Sequence, residues 1–417
     1  MKETEKKPRI KRNTKPKEVK KTIKEQKNEP EKRVASFSLV EMIVIVVIVS
    51  LAVSVLSGYL VFKNYNYISS QTNNKENYNE LNEFVKVYNE LKEKYIEDID
   101  KDKLINSAID GMLNYLDIYT DYLDEDTTLD LQDRLNGEYK GIGVEISNNT
   151  DNNVVIVTVF DKTPASKAGL KVGDVIVSIN GENMLGKTSS EVASTIKGSS
   201  VKEINLTYQR DGEEKEVKIV LSNVIIPSVE YETFENEIGY IKITTFSSTT
   251  YSQMKDALKE LEDKKIKSLI VDVRNNSGGY LSTAKSVADL FLDKDEVIYQ
   301  LKYKNETVKK YTSKTPDKTT YPIVVLINEG SASASEILAA ALKESYGAKL
   351  IGTKSFGKGT VQETEILSTG SMIKYTSAYW LTPDGNSINK VGLEPDEVVK
   401  NTPDNDEQLE RAKEALK

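Results

Sequence analysis

Three serines stand two residues apart in Glu329-Gly-Ser-Ala-Ser-Ala-Ser-Glu336, and one lysine stands between glycines in Ser355-Phe-Gly-Lys-Gly-Thr-Val-Gln362. These side chains are the ones with which the chain could run nucleophilic chemistry. It contains no histidine and no cysteine. That rules out a Ser-His-Asp triad, an imidazole base, a thiol nucleophile, an HExxH zinc site, a zinc finger, an iron–sulfur cluster and any disulfide. No metal or other cofactor is expected. An activated serine must therefore find another base, and Lys358 is the candidate. A lysine works as a base only when neutral, so its pKa must fall from ~10.4 toward ~7–8. At ~1.4 kcal/mol per unit the site must supply about 4 kcal/mol, by desolvation without a carboxylate against the amine. Flanking glycines permit close approach, and on extended backbone Lys358, Thr360 and Gln362 share a face. Gln362 is then placed to hydrogen-bond the amine. The residue types alone leave Ser331, Ser333 and Ser335 all open as nucleophile.

A second glycine-rich stretch, Asn275-Asn-Ser-Gly-Gly279, follows the apolar run SLIVDVR, as the triple serine follows PIVVLIN. In α/β sheets, sites lie at the carboxyl ends of strands. Glycines there leave amide N–H groups uncovered, and a helix start of small residues adds more, with the positive end of its dipole. Together these suit an oxyanion hole.

The elements that must hold these residues are legible as pattern. From about residue 226, strands alternate with helices: GYIKITTF, a helix over 250–262, SLIVDVR, a helix over 282–292, PIVVLIN and a helix over 333–345. Strands apolar throughout read as parallel strands buried between helical layers. Residues 138–222 differ, with several short strands, one or two short helices and an Asp211-Gly212 hairpin signal, which predicts a small separate β-rich domain. Residues 77–125 show helical periodicity, predict two helices and carry no evident chemistry, so they read as a packing or association element. Residues 404–417 predict a short charged helix with Leu409, Ala412 and Leu416 on one side.

The amino-terminal part is of another kind. Residues 1–33 hold 14 Lys/Arg and 6 Asp/Glu, a local charge of +8 in a chain of net charge −8. Such a tail, poor in apolar residues, is expected to be disordered. Residues 42–62 are 21 residues without a charge, which at about 1.5 Å per residue spans a hydrocarbon core of roughly 30 Å. By the positive-inside rule the tail is cytoplasmic and the remainder lies outside. The basic run is thus expected to set topology and touch anionic lipid rather than bind nucleic acid. Phe37-Ser-Leu-Val-Glu41 also resembles the start of a type IV pilin, although Ser36 replaces the usual Gly.

The motifs taken together resemble the C-terminal processing peptidases, or tail-specific proteases, over about residues 78–417. Besides the two stretches above, Gly137-Glu-Tyr-Lys-Gly-Ile-Gly-Val-Glu145, Ala165-Ser-Lys-Ala-Gly-Leu-Lys-Val-Gly-Asp174, Asp272-Val-Arg-Asn-Asn-Ser-Gly-Gly279, Thr382-Pro-Asp-Gly385 and Gly392-Leu-Glu-Pro-Asp396 carry the resemblance. It implies a Ser-Lys dyad of Ser333 and Lys358, with Gln362 in support and Glu336 and Ser355 around it. It implies oxyanion donors at Ala334 and at Gly278 or Gly279, and a crotonase-like α/β core with an inserted PDZ domain. The loop Gly141-Ile142-Gly143-Val144 would then bind a substrate's terminal carboxylate while the tail adds a strand to the sheet edge. Two positions depart from the family pattern: Ser277 replaces a proline, and Lys343-Glu344 replaces a Gln-Asp pair.

The resulting expectation is a mixed α/β chain: a basic cytoplasmic tail (1–36), a transmembrane anchor (37–63), a linker (64–76), a helical region (77–125), a PDZ domain (126–224), a peptidase core (225–403) and a final helix (404–417). Its partners are protein C-termini, the membrane and a second copy of itself, with the homodimer built from residues 77–125 and the final helix. A PDZ tail receptor on an inactive core, or a pilin-like surface protein, are the competing readings. The intact Ser333, Lys358 and Gln362 speak against the first of these, and only Phe37–Glu41 speaks for the second.

Overall fold

The computed structural model describes residues 77–199, 201–315 and 320–417. The expected tail, membrane span, pilin-like segment and linker lie outside the described residues. Among the described residues no helix is long and apolar enough to cross a membrane. Contacts divide the chain after Ile99. In the first unit the helix Asn77–Lys94 has Leu81, Phe84, Val85 and Leu91 of its apolar stripe exposed.

The second unit opens with the helix Lys101–Asn114, whose first amides are capped by the Asp100 carboxylate. A third helix, Glu125–Asn136, has no counterpart in the sequence reading. Asp124 caps its start, and Gly137 ends it in the left-handed region at φ 68°, where a Cβ would be strained.

A six-strand sheet, ordered Val144–Asn148, Val154–Val159, Val175–Ile179, Glu203–Arg210 and Glu213–Val220 with the short Glu182–Asn183 also on Val175–Ile179, forms the predicted small β domain. The Asp211-Gly212 hairpin has φ 55° and 82°, as a turn matched to strand twist requires. Ile142, Val154, Ile156, Ile176, Ile204 and Val192 of the helix Ser189–Lys197 fill its core. Chain entry and exit pair as Glu138–Gly141 with Ser222–Ile225. Inside this domain Asp174 is fully buried, and Arg210 grips both its oxygens at 2.6 Å.

The larger part is built on a six-strand sheet ordered Val229–Phe234, Ile238–Ile243, Ser268–Asp272, Ile323–Ile327, Lys349–Gly352 and Glu397–Val398. All neighbours are parallel except the first pair. Every residue of Ser268–Asp272 and Ile323–Ile327 is buried, as strands covered on both faces must be. The helices Thr250–Asp263, Leu281–Ala288 and Ala334–Ala341 cover one face. The last of these ends earlier than the periodicity predicts, because Leu342–Tyr346 widens into a π-turn. The helix Glu407–Ala415 covers the other face, with Ala412 fully buried in a cluster with Ile270, Val324 and Leu326, and with Leu409 and Leu416 packed against it. The final helix therefore uses its apolar side within the chain.

A second sheet, not anticipated from the sequence, is antiparallel: Asp121–Leu123, Met372–Leu381, Val297–Tyr303 and Val308–Thr312, with Thr360–Ile366 also on Met372–Leu381. It brings residue 121 to residue 374, and it carries the strand on which Gln362 lies.

Arg210→Ala leaves Asp174 buried with one backbone donor, from Lys171. An unpaired buried carboxylate is expected to lower unfolding free energy by about 3 kcal/mol. A fall in the urea midpoint of the β domain, partly recovered in Arg210→Lys, checks this.

Candidate active site

The strand Ile323–Ile327 ends in a turn organised by Asn328, whose side chain accepts from the Gly330 and Asn275 amides. The three serines then separate by environment. Ser331 is fully buried, donates to the Val273 carbonyl at 2.8 Å and accepts from the Asn328 amide. Ser335 is fully buried and donates to the Asn276 carbonyl at 2.8 Å. Ser333 is half-exposed, and its hydroxyl donates to no group among the described residues. Its backbone sits at φ 55°, ψ −112° at the start of Ala334–Ala341. That conformation costs of the order of 1–3 kcal/mol in a non-glycine residue. Its amide donates to the Glu336 carboxylate at 2.8 Å, which holds the strained residue in place.

The loop after Ser268–Asp272 lies directly against this serine. Asn276 is fully buried: its side chain donates to the Ile243 carbonyl and accepts from the Gly278 amide at 2.9 Å. Its carbonyl takes the Ala332 amide. A Cβ added at Gly278 would lie 3.1 Å from the Ser333 Cβ and 3.0 Å from the Ala332 oxygen. At Gly279 it would collide with the Phe246 carbonyl. Gly278 and Gly279 adopt φ 110° and 141°, so glycine is required on both counts. Of the expected oxyanion donors, Ala334 with Gly278 or Gly279, the two glycines differ in hydrogen bonding. The Gly278 N–H is committed to the Asn276 side chain, whereas among the described residues the Gly279 and Ala334 amides have no acceptor.

Lys358 is tied to the same helix through Glu336. This carboxylate is fully buried and accepts from the amides of Ser333, Gly357 (2.7 Å) and Lys358 (3.0 Å) and from the Ser355 hydroxyl (2.6 Å). Burial pushes its pKa up, while these four donors favour the charged form. The Ser355 oxygen in turn accepts from the Leu393 amide at 2.7 Å, and the buried Trp380 indole donates to the Lys358 carbonyl at 2.8 Å. The backbone of Lys358 is thus fixed from both sides.

Its side chain points elsewhere. Desolvation is the largest influence on the Lys358 amine and lowers its pKa, with the nearby charge of Lys374 lowering it further; Glu336 and Asp117 oppose the shift without reversing it. The ammonium makes no ion pair among the described residues, and lies 4.8 Å from the centroid of the Tyr119 ring. Gln362, expected on the amine, instead donates to the hydroxyls of Thr360 (3.0 Å) and Thr376 (3.2 Å). The stretch 77–125, read as free of chemistry, thus delivers Tyr119 and Asp117 to the lysine. The resemblance pointed to Glu336, whereas nothing in the sequence reading pointed to Tyr119, Lys374 or Trp380.

In the β domain, Ile142, Val144, Ile146, Phe160, Ala193 and Ile196 line an apolar groove of about 510 Å³. Gly143 has φ 89° and is packed against Thr163. The Tyr139 hydroxyl donates to the Val144 carbonyl at 3.3 Å, at the loop expected to bind a carboxylate. On the groove rim Lys197 pairs with Asp133 at 2.7 Å and Asp130 at 3.3 Å.

Residues 237–399 match Peptidase family S41, residues 141–221 match a PDZ domain, and residues 53–127 match the activating protease CtpB N-terminal domain. The carboxy-terminal processing protease CtpB of Bacillus subtilis is 40% identical over 326 residues, covering 77% of this chain and 68% of that protein. A carboxy-terminal-processing protease of Bartonella bacilliformis is 38% identical over 341 residues, covering 80% and 78%. Among solved structures, a photosystem II D1 C-terminal processing protease shares 27% identity with a TM-score of 0.44, covering 76% of this chain and 92% of that one.

Glu336→Gln replaces an acceptor-only carboxylate with a group that presents two N–H donors to existing donors. The Ser333 and Lys358 backbones are then expected to shift, with serine reactivity falling about 100-fold while the fold persists. Rates of labelling by a fluorophosphonate probe, beside circular dichroism, check this.

Proposed function

This chain belongs to the carboxy-terminal processing proteases, serine-type peptidases of family S41 with a PDZ domain, and on that premise we propose that it cleaves protein tails with Ser333 as nucleophile and Lys358 as base. The observation that carries this reading is the environment of Ser333: the single half-exposed serine of three, strained, beside the free amides of Gly279 and Ala334. A tail receptor on an idle core would have no use for that strain.

In this reading the neutral Lys358 amine takes the Ser333 proton as Oγ attacks the scissile carbonyl. The tetrahedral oxyanion is stabilised by the Gly279 and Ala334 N–H groups, at the positive end of Ala334–Ala341. The lysine ammonium then gives its proton to the leaving amine, leaving an acyl-serine. Water, deprotonated by the same lysine, hydrolyses the ester and releases Ser333. The amine must first move from Tyr119 to Ser333, since the two do not hydrogen-bond in this structure. Gln362 keeps the lysine strand aligned through Thr360 and Thr376. No metal is needed for any step.

The finer parts of the proposal rest on sequence and surface. The peptidase part is a crotonase-like core. The loop Gly141–Val144 binds the substrate's terminal carboxylate, and the apolar groove beside it takes the last side chain. The uncharged run 42–62 behind 14 Lys/Arg anchors the chain in the cell membrane with its N-terminus in the cytoplasm and its catalytic part outside. The exposed apolar stripe of Asn77–Lys94 is the surface for a homodimer.

Ser333→Ala and Lys358→Arg are each expected to abolish proteolysis with the fold intact, because arginine cannot be deprotonated in a protein. In the native chain kcat/KM should rise with pH through the lowered lysine pKa and stay high into mildly alkaline solution; an optimum below pH 6 would point to a carboxylate base instead. Amidating a substrate's C-terminus removes the charge that strengthens its hydrogen bonds to the loop roughly twofold. Cleavage of long tails should slow markedly, and equal rates on free and amidated tails would remove the PDZ part of the proposal.

A further inference from the structure

Tyr119 is held at Lys358 by more than proximity. The Asp117 carboxylate accepts from the amides of Tyr119 (2.8 Å) and Thr120 (3.1 Å) and from the Thr120 hydroxyl (3.1 Å), closing a tight turn. The Thr120 oxygen takes the Thr376 amide at 3.3 Å, and the following residues Asp121–Leu123 pair in register with Lys374, Ile373 and Met372. The ring therefore arrives from a segment more than two hundred residues away in sequence, yet fixed to the neighbouring strand of the lysine's own sheet. Its centroid is 4.8 Å from the ammonium, within the range where an aromatic face attracts a cation. The charged groups that influence the amine are Glu336, whose oxygens are filled by four donors, Asp117, whose carboxylate is held by Tyr119, Thr120 and the Thr376 side chain, and Lys374, which faces Asp121 at 3.6 Å. The Tyr119 ring thus lies over an amine that makes no ion pair among the described residues.

We propose that Tyr119 is the positioning residue for the base: its ring face holds the Lys358 ammonium between turnovers, and each cycle begins with the amine leaving the ring for Ser333. This rests on the reading of Lys358 as the base. An aromatic wall suits the task because it holds the protonated form without supplying a counterion, excludes water, and has no affinity for the neutral amine that must leave. A carboxylate in its place would fix the ammonium and stop the chemistry.

The test is the pH dependence of Ser333 labelling by a fluorophosphonate probe, in the full-length chain. Tyr119→Phe keeps the ring and should keep the wild-type profile. Tyr119→Leu keeps the apolar wall but removes the attraction for the protonated amine. The acid limb should move to lower pH by about 0.5–1 unit, so that labelling on the acid side is about 3–10-fold faster than wild type. Tyr119→Ala admits water, relieves desolvation and should move the limb the other way. Opposite shifts in the Leu and Ala variants support the proposal. Profiles that superimpose on wild type, or that are lower at every pH without a shift, overturn it, since a merely structural tyrosine would give one of these. Lys358→Arg separates the two levels: loss of labelling there with unmoved Tyr119 variants overturns the role of Tyr119 alone, whereas wild-type labelling in Lys358→Arg overturns the base assignment and this proposal with it.

Discussion

The active site hangs on one buried carboxylate. Glu336 is removed from water, which costs an isolated ion several kcal/mol, and four hydrogen-bond donors offset that cost. Two of the donors are the backbone amides of Ser333 and Lys358, so a single group sets the strained serine and the lysine loop against each other. The arrangement resolves a conflict. A lysine base needs to be close to its serine but must not meet an anion, and here the Glu336 carboxylate has its oxygens occupied by other donors. Its charge still raises the pKa of the amine, but less than desolvation lowers it.

The same logic selects one serine from three identical neighbours. At two-residue spacing on a turn leading into a helix, Ser331 and Ser335 face inward and stitch the turn to the Val273 and Asn276 carbonyls. Ser333 lies between them with its side chain half-exposed and its backbone at positive φ. Of the three, Ser333 alone combines a backbone at φ 55° with a half-exposed side chain, as the proposed nucleophile requires.

Much of this was legible in the sequence, and the reason differs by element. The strand Ile323–Ile327 is apolar at every position and Ser268–Asp272 at its three central ones, a pattern that suits strands covered on both faces, and Asp211-Gly212 names its own turn. Local chemistry suffices there. The glycine loop at 275–279 and the lysine between glycines announced amide sites and close approach. Composition could not say which amide is free: Gly278 is lost to the Asn276 side chain two residues earlier, a bond no pattern encodes. Nor could it place Gln362, whose two threonine partners come from its own strand and the strand beside it. The helix Glu125–Asn136, with its weak apolar face, and the antiparallel sheet were missed because long-range pairing rather than local periodicity creates them. Tyr119 follows from that sheet and was invisible for the same reason.

The two sheets divide the chemistry between them. The amides of Gly279 and Ala334 and the proposed nucleophile Ser333 all stand at the carboxyl ends of parallel strands, on a layer packed between helices and therefore stiff. The lysine loop leads into Thr360–Ile366 of the antiparallel sheet, with Trp380 and Thr376 on the strand beside it. Glu336 and the backbone bonds from Ser331 to Phe356 and from Ser355 to Leu393 bridge the two. A small shift of the antiparallel sheet would thus alter the distance from amine to hydroxyl while leaving the oxyanion amides fixed to the serine. The segment Asp117–Leu123 is bound to that sheet. Its placement therefore bears directly on the lysine's surroundings. Reactivity in such a site is set by where the base rests, because the rest of the machinery is already in place.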